Sequence, residues 1–120
     1  MLNLDTHILV HALGGDLTRR ERELLTADTW SISGIVLWEI AKLVQLDRLE
    51  LDLDDGDVVR ALAKIHTWPL TLDVCKAIAD LDFAADPADE LIAATSLVHG
   101  VPLVTRDRRI RRSRVLPLAG

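Results

Sequence analysis

Four carboxylates stand far apart in this 120-residue chain, each after a strand or in the first two turns of a helix: Asp5, Glu39, Asp89 and Asp107. Carboxylates gathered in one place repel one another and raise each other's pKa, so a stable cluster calls for a cation. An all-oxygen donor set suits Mg2+ or Mn2+, and Mg2+ typically keeps several waters beside one or two carboxylates. Such an ion lowers the pKa of a water nucleophile and neutralises charge developing on a phosphate. Each acid also has a plainer role. Asp5 can cap the helix after it. Asp89 stands three residues after Asp86, where an acid favours a helix start. Glu39 can pair with Lys42 at i,i+3, and Asp107 can balance its neighbouring arginines. Singly, these roles suffice. The metal reading depends on whether the fold brings all four to one rim.

Periodicity and capping show which elements would do so. Asp86 is a good N-cap, its carboxylate able to accept from free N–H groups of the first turn. Pro87 fits the first helical position. Gly100 offers a left-handed stop, and Pro102 forbids continuation. The strand Leu103–Thr105 follows, with Asp107 in the loop beyond. Upstream, Leu2–Leu4 reads as a strand and Thr6–Leu13 as a helix that Gly14 and Gly15 stop. Asp16 or Thr18 caps a second helix through Ala27. Trp30–Ser33 alternates at strand period, and Ser33 or Gly34 opens a helix over Ile35–Leu46. The alternating stretch Arg48–Leu53 is a strand or a loop touching the core. A helix over Asp57–His66, a brief strand Trp68–Leu72 and a short helix from Asp73 through Leu81 complete the middle. Arg114–Leu118 reads as an edge strand, where Pro117 is tolerable.

Strands alternating with helices imply an α/β fold, with a parallel sheet covered on both faces. In such sheets ligands bind beyond the carboxyl ends of the strands, where the strand order reverses. Asp5 and Asp107 follow strands. A helix running back to feed a parallel strand must begin at that same edge, which places Asp89 there. Glu39, in the second turn of the helix after Trp30–Ser33, starts from it too. All four acids are thus predicted on one rim.

The length fits a single domain over 1–120 with one core. One cysteine, Cys75, excludes an internal disulfide and a thiolate metal site, fits a reducing cytosol, and reads as a packed thiol. The apolar N-terminus has no Lys or Arg head and carries Asp5 early, a poor signal peptide. No run approaches the ~20 apolar residues of a membrane span. A cytoplasmic protein is expected. Net charge is -5, unevenly placed: Arg106, Arg108, Arg109, Arg111, Arg112 and Arg114 against Asp107 make one short stretch strongly basic on an acidic body. That asymmetry suggests a polyanion partner, with a solvated surface segment as the plainer account. Trp30, Trp38, Trp68 and Phe83 read as mainly core.

The motifs resemble a known family. Leu4-Asp5-Thr6-His7, Ser31-Ile32-Ser33 leading to Leu37-Trp38-Glu39-Ile40-Ala41, Asp86-Pro87-Ala88-Asp89-Glu90-Leu91, and Leu103-Val104-Thr105-Arg106-Asp107 resemble, in order and spacing, the PIN-domain ribonucleases. More narrowly they are similar to the VapC-type toxins of toxin–antitoxin pairs. The resemblance implies a three-layer α/β/α sandwich with a mainly parallel sheet of about five strands. It implies a Mg2+- or Mn2+-dependent endoribonuclease, usually a homodimer, held inactive by a cognate antitoxin. The family's acidic site falls on Asp5, Glu39, Asp89 and Asp107. Thr105 matches the polar residue that helps orient the first acid, and Asp86 the extra acid of an Asp-Pro subtype. An arginine near the site would engage RNA phosphate, with Arg106, Arg108 and Arg109 as candidates in order of proximity to Asp107.

Other readings fit less well. His7 and His11 lie at i,i+4, but no Glu stands between them in the zinc-hydrolase pattern. A phosphatase with an aspartyl nucleophile would want an acid where His7 stands. The alternative from another class is a non-catalytic PIN-like module that binds RNA or protein.

Overall fold

The computed structural model describes residues 1–120. Its centre is a fully parallel four-stranded sheet in the order β3-β2-β1-β4, with β1 Leu2–Leu4, β2 Trp30–Ser33, β3 His66–Trp68 and β4 Leu103–Val104. The helices flank this sheet in the α/β manner expected: α1 Thr6–Gly14, α2 Arg19–Thr26, α3 Gly34–Gln45, α4 Gly56–Ala63, α5 Leu72–Ala77, α6 Pro87–His99 and α7 Arg108–Arg111. Strand order runs β1 to β3 in one direction, and then β4 joins the other side of β1. The reversal between β1 and β4 is the switch point at which such sheets open a crevice. Asn3 faces Leu103 and Leu4 faces Val104 across it, so the next residues of the two strands, Asp5 and Thr105, leave the sheet side by side.

Local chemistry explains most boundaries. Thr18 and Glu21 form a reciprocal capping box at the start of α2. Ser33 ends β2 and caps α3 through its hydroxyl. Gly100 ends α6 at φ +65, a left-handed conformation that glycine adopts without a Cβ penalty. Leu4, Ile8, Leu9, Ile32, Val36, Ile40, Ile92 and Leu103 are fully buried and form the main core. Asn3 interrupts it from the central strand, and its amide donates to the Ile92 carbonyl (3.2 Å) and Ser96 Oγ (2.9 Å), tying α6 to β1.

Several expectations change. The sheet has four strands. The expected strand at Arg114–Leu118 reduces to one bridge between Leu118 and Leu103, because Pro117 has no N–H to extend a ladder. The third strand occupies His66–Trp68 rather than Trp68–Leu72, since Thr71 is already capping α5 through its side chain. Asp73 therefore lies inside that helix instead of capping it. The helix expected over Asp57–His66 spans Gly56–Ala63 and is capped by Asp55. Arg48–Leu53 is a loop whose Leu49, Leu51 and Leu53 pack on the core. Trp38 is 58% exposed, not core, and Cys75 is exposed rather than packed.

Candidate active site

The carboxyl ends of β1 and β4 set the first two groups. Asp5 is 6% exposed. One of its oxygens, Oδ1, accepts from the N–H groups of His7 (2.8 Å) and Ile8 (3.3 Å), so it caps α1 as the plainer reading held. Its other oxygen, Oδ2, accepts from the Thr105 hydroxyl at 2.5 Å across the switch point. Asp107 lies two residues beyond Thr105, in the loop as expected, at the N-cap position of a helix that the sequence did not reveal. It caps the short helix α7, with Oδ1 accepting from the Arg109 and Ile110 N–H groups at 2.8 and 3.1 Å. That helix was not legible from its four residues. From α3, Glu39 extends toward the same rim, and its Oε1 accepts from the Thr6 hydroxyl at 2.5 Å.

Asp89 comes from the first turn of α6 and differs from the others. Its carboxyl pKa is pushed up to about 6, first by burial and then by the negative charges of Glu39, Asp5, Asp86 and Asp107. The five acids therefore share one electrostatic neighbourhood, and none of them forms an ion pair with a Lys or Arg. Asp86 stands at the N-cap position of α6, but its side chain makes no capping hydrogen bond, which corrects the capping role expected of it. The α6 start is instead braced by Glu90, whose Oε2 accepts from the Ala85 N–H at 3.4 Å. A cavity of about 450 Å3 opens here, lined by Ala85, Asp86, Asp89, Asp107, Arg108 and Arg109.

The three arginines expected to meet phosphate separate. Arg106 turns away from the acids and is held by Glu21 through two contacts of 2.6 and 2.7 Å, with a further bond to the Asp16 carbonyl. Arg106 in turn holds the Glu21 carboxyl down at about 2. This pairing joins residues 85 apart, so proximity to Asp107 in sequence was misleading. Arg109 lines the acidic cavity, but its guanidinium donates to the Ala84 carbonyl at 2.7 Å and anchors the loop before α6. Asp82 anchors the same loop from below, accepting from Ser113 Oγ (2.6 Å) and the Arg114 N–H (2.8 Å). Arg108 lines the cavity with no ion-pair partner. The sequence reading missed Thr6, whose position directly after Asp5 was the available signal. It also missed Arg111, which donates to the Thr105 carbonyl at 3.2 Å.

The chemistry of the donor set fits a hard divalent cation. Only oxygens are offered, and no protein group donates to Glu39 Oε2 or Asp107 Oδ2. No three carboxylates close into a ready ligand shell.

Comparison with known proteins places this arrangement. A model of the PIN domain matches residues 3–116. Ribonuclease VapC22 of Mycobacterium tuberculosis is 36% identical over 91 residues, which is 73% of this chain and 70% of that protein. The fold is similar to that of a toxin–antitoxin complex from Klebsiella pneumoniae, at TM-score 0.75 and 18% identity over 100% of this chain and 97% of the other. It is also similar to VapBC2 from Rickettsia felis bound to a promoter DNA fragment, at TM-score 0.73 and 21% identity over 99% and 98% of the two chains. These two likenesses speak to the fold, whereas the family match and the 36% relative speak to ancestry. On that basis this chain belongs to the PIN-domain family, in its VapC-type branch.

Proposed function

We propose that this chain is a metal-dependent endoribonuclease, the toxin of a toxin–antitoxin pair, acting in the cytoplasm. The observation that carries the metal site is the cavity lined by Asp86, Asp89 and Asp107, with Asp5 and Glu39 near enough to help push the Asp89 carboxyl up to about 6. The VapC22 relative, by name a ribonuclease, supports the substrate class. Neighbours of the same fold in toxin–antitoxin complexes support an antitoxin partner.

In this reading Asp5, Glu39, Asp89 and Asp107 would hold Mg2+ or Mn2+. When bound, the ion supplies charge that acidifies a water nucleophile and offsets charge developing on the scissile phosphate. Thr105 holds Asp5 in place through their short hydrogen bond. Asp86 adds negative charge to the mouth of the cavity without ligating. Arg108, free of an ion-pair partner beside the acids, engages a phosphate of the RNA. Arg106 is excluded from that task by Glu21. Exposed Leu37, Trp38, Leu70 and Leu72 support a homodimer, since such side chains favour burial against a second copy.

RNA cleavage by the wild type and Asp5→Asn, each with and without Mg2+, tests the reading. Metal-dependent cleavage that Asp5→Asn abolishes is expected. Equal cleavage by both proteins without metal would sink the site. No cleavage of any RNA, with no growth arrest on expression, would favour the non-catalytic binding module.

A further inference from the structure

Thr6 is 4% exposed, yet it carries a hydroxyl that the α1 backbone does not use. That hydroxyl lies 2.5 Å from Glu39 Oε1. An ionised carboxylate can only accept, so Thr6 is the donor. Thr6 is also the first helical residue after Asp5, whose Oδ1 fixes the same helix start through His7 and Ile8. Two consecutive residues therefore hold two acids of the rim. Asp5 is itself one acid, and Thr6 reaches across to the other, on a helix 33 residues away. Glu39 has three side-chain torsions, and fixing a long side chain costs about 1.5–2 kcal/mol of rotamer entropy. A part-buried, charge-assisted hydrogen bond is a strong restraint on such a group.

We propose that Thr6 is a positioning residue of this site: its buried hydroxyl fixes the Glu39 carboxylate through Oε1 and leaves Oε2 without a protein donor. This rests on the reading of Asp5 and Glu39 as metal-holding groups. Threonine serves better than serine because its methyl group restricts χ1 and aims the hydroxyl. Valine keeps that shape and burial while removing the donor. Groups that orient metal-binding side chains typically cost about 10–100-fold in metal affinity when removed.

The test is Mn2+ affinity, measured by calorimetry on the intact protein without RNA. The proteins compared are wild type, Asp5→Asn, Glu39→Gln, Thr6→Val, Thr6→Ser and the double variant Thr6→Val with Glu39→Gln, with the melting temperature of each metal-free protein. Thr6→Val is expected to weaken Mn2+ binding about 10–100-fold. Thr6→Ser should recover most of the loss, and Thr6→Val should add nothing once Glu39 is Gln. A purely structural Thr6 would lower the melting temperature without this dependence on Glu39. Wild-type Mn2+ affinity in Thr6→Val, with binding lost in Asp5→Asn, overturns the positioning role and leaves the site standing. Wild-type affinity in Asp5→Asn overturns the site itself. Independent, multiplying losses in the double variant also overturn the positioning role. If Thr6→Val does not fold, Thr6→Ala replaces it as the donor-less variant under the same criteria.

Discussion

At the scale of single residues, Asp89 and Arg106 show how surroundings assign chemistry to side chains of common type. Asp89 has an ordinary carboxyl value of 3.8 but is held up at about 6, so its ionised form is disfavoured in the folded protein. The sign follows. The folded chain holds this proton more tightly than the unfolded one, so stability is greatest below the ordinary value and is lost as pH rises through about 6. Asp89 is partly exposed, so solvent screens much of the effect and leaves on the order of 1 kcal/mol. Asp89→Asn should therefore raise the melting temperature of the metal-free protein at pH 7.5, leave it unchanged near pH 4, and abolish metal-dependent cleavage. Equal melting at both pH values would count against the crowded-acid account. Glu21 has the opposite sign: held at about 2 by Arg106, it contributes stability above its ordinary 4.5 that is lost as pH falls toward 2. Arg106→Ala should accordingly shrink stability in a pH-dependent way and leave RNA cleavage within a few-fold. Arg108→Ala should raise KM for RNA, and steady-state kinetics on the two variants separates them.

At the scale of elements, the site is made of starts. α1, α3, α6 and α7 all begin at the rim where the parallel strands end, so each delivers an acid in or near its first turns. Helix starts favour negative charge through their unpaired N–H groups. In the proposed site, capping and metal holding would draw on the same residues at Asp5 and Asp107 without conflict: an acid can spend one oxygen on the helix and offer the other. Asp107 is the clearest case, with Oδ1 on two N–H groups of α7. Asn is also a good N-cap, so Asp107→Asn should keep stability within a few tenths of a kcal/mol while impairing cleavage. Asp107→Ala should lose about 1 kcal/mol as well. Thermal melts alongside cleavage assays would show the split, and equal destabilisation by both variants would argue against it.

At the scale of the whole molecule, the reversal of strand order between β1 and β4 brings residues 100 apart into contact, as Thr105 and Asp5 show. Around that crevice the charge is divided. Arg108, Arg109 and Arg112 lie on the exposed surface of α7 and its end, Asp86 and Asp107 are exposed beside them, and Asp5 and Asp89 lie deeper. Away from this charge, Trp38 is 58% and Leu72 74% exposed, both large side chains that water solvates poorly. Gly34, at the start of α3, approaches the Trp68 carbonyl at the end of β3. Trp38→Ser with Leu72→Ser should convert a homodimer to monomer in sedimentation while melting remains close to wild type. A dimer unaffected by both changes would move the interface elsewhere.

The sequence by itself determined the elements with strong punctuation. Gly14 and Gly15 end α1, Ser33 opens α3, Pro87 and Gly100 bracket α6, and the rim that holds Asp5, Glu39, Asp89 and Asp107 follows from alternating strands and helices. These signals are local, because a cap or a stop acts over three or four residues. The four-residue helix α7 and the register of β3 were less legible, since neither is long enough to establish a period. Only the tertiary structure decided that Arg106 belongs to Glu21, that Thr6 reaches Glu39, that Trp38 is exposed, and that Asp86 caps nothing. Each of the first two depends on a partner tens of residues away, and burial depends on what the rest of the chain covers. Charge and type are written along the chain, but which charges neutralise one another is set by distances that exist only after folding.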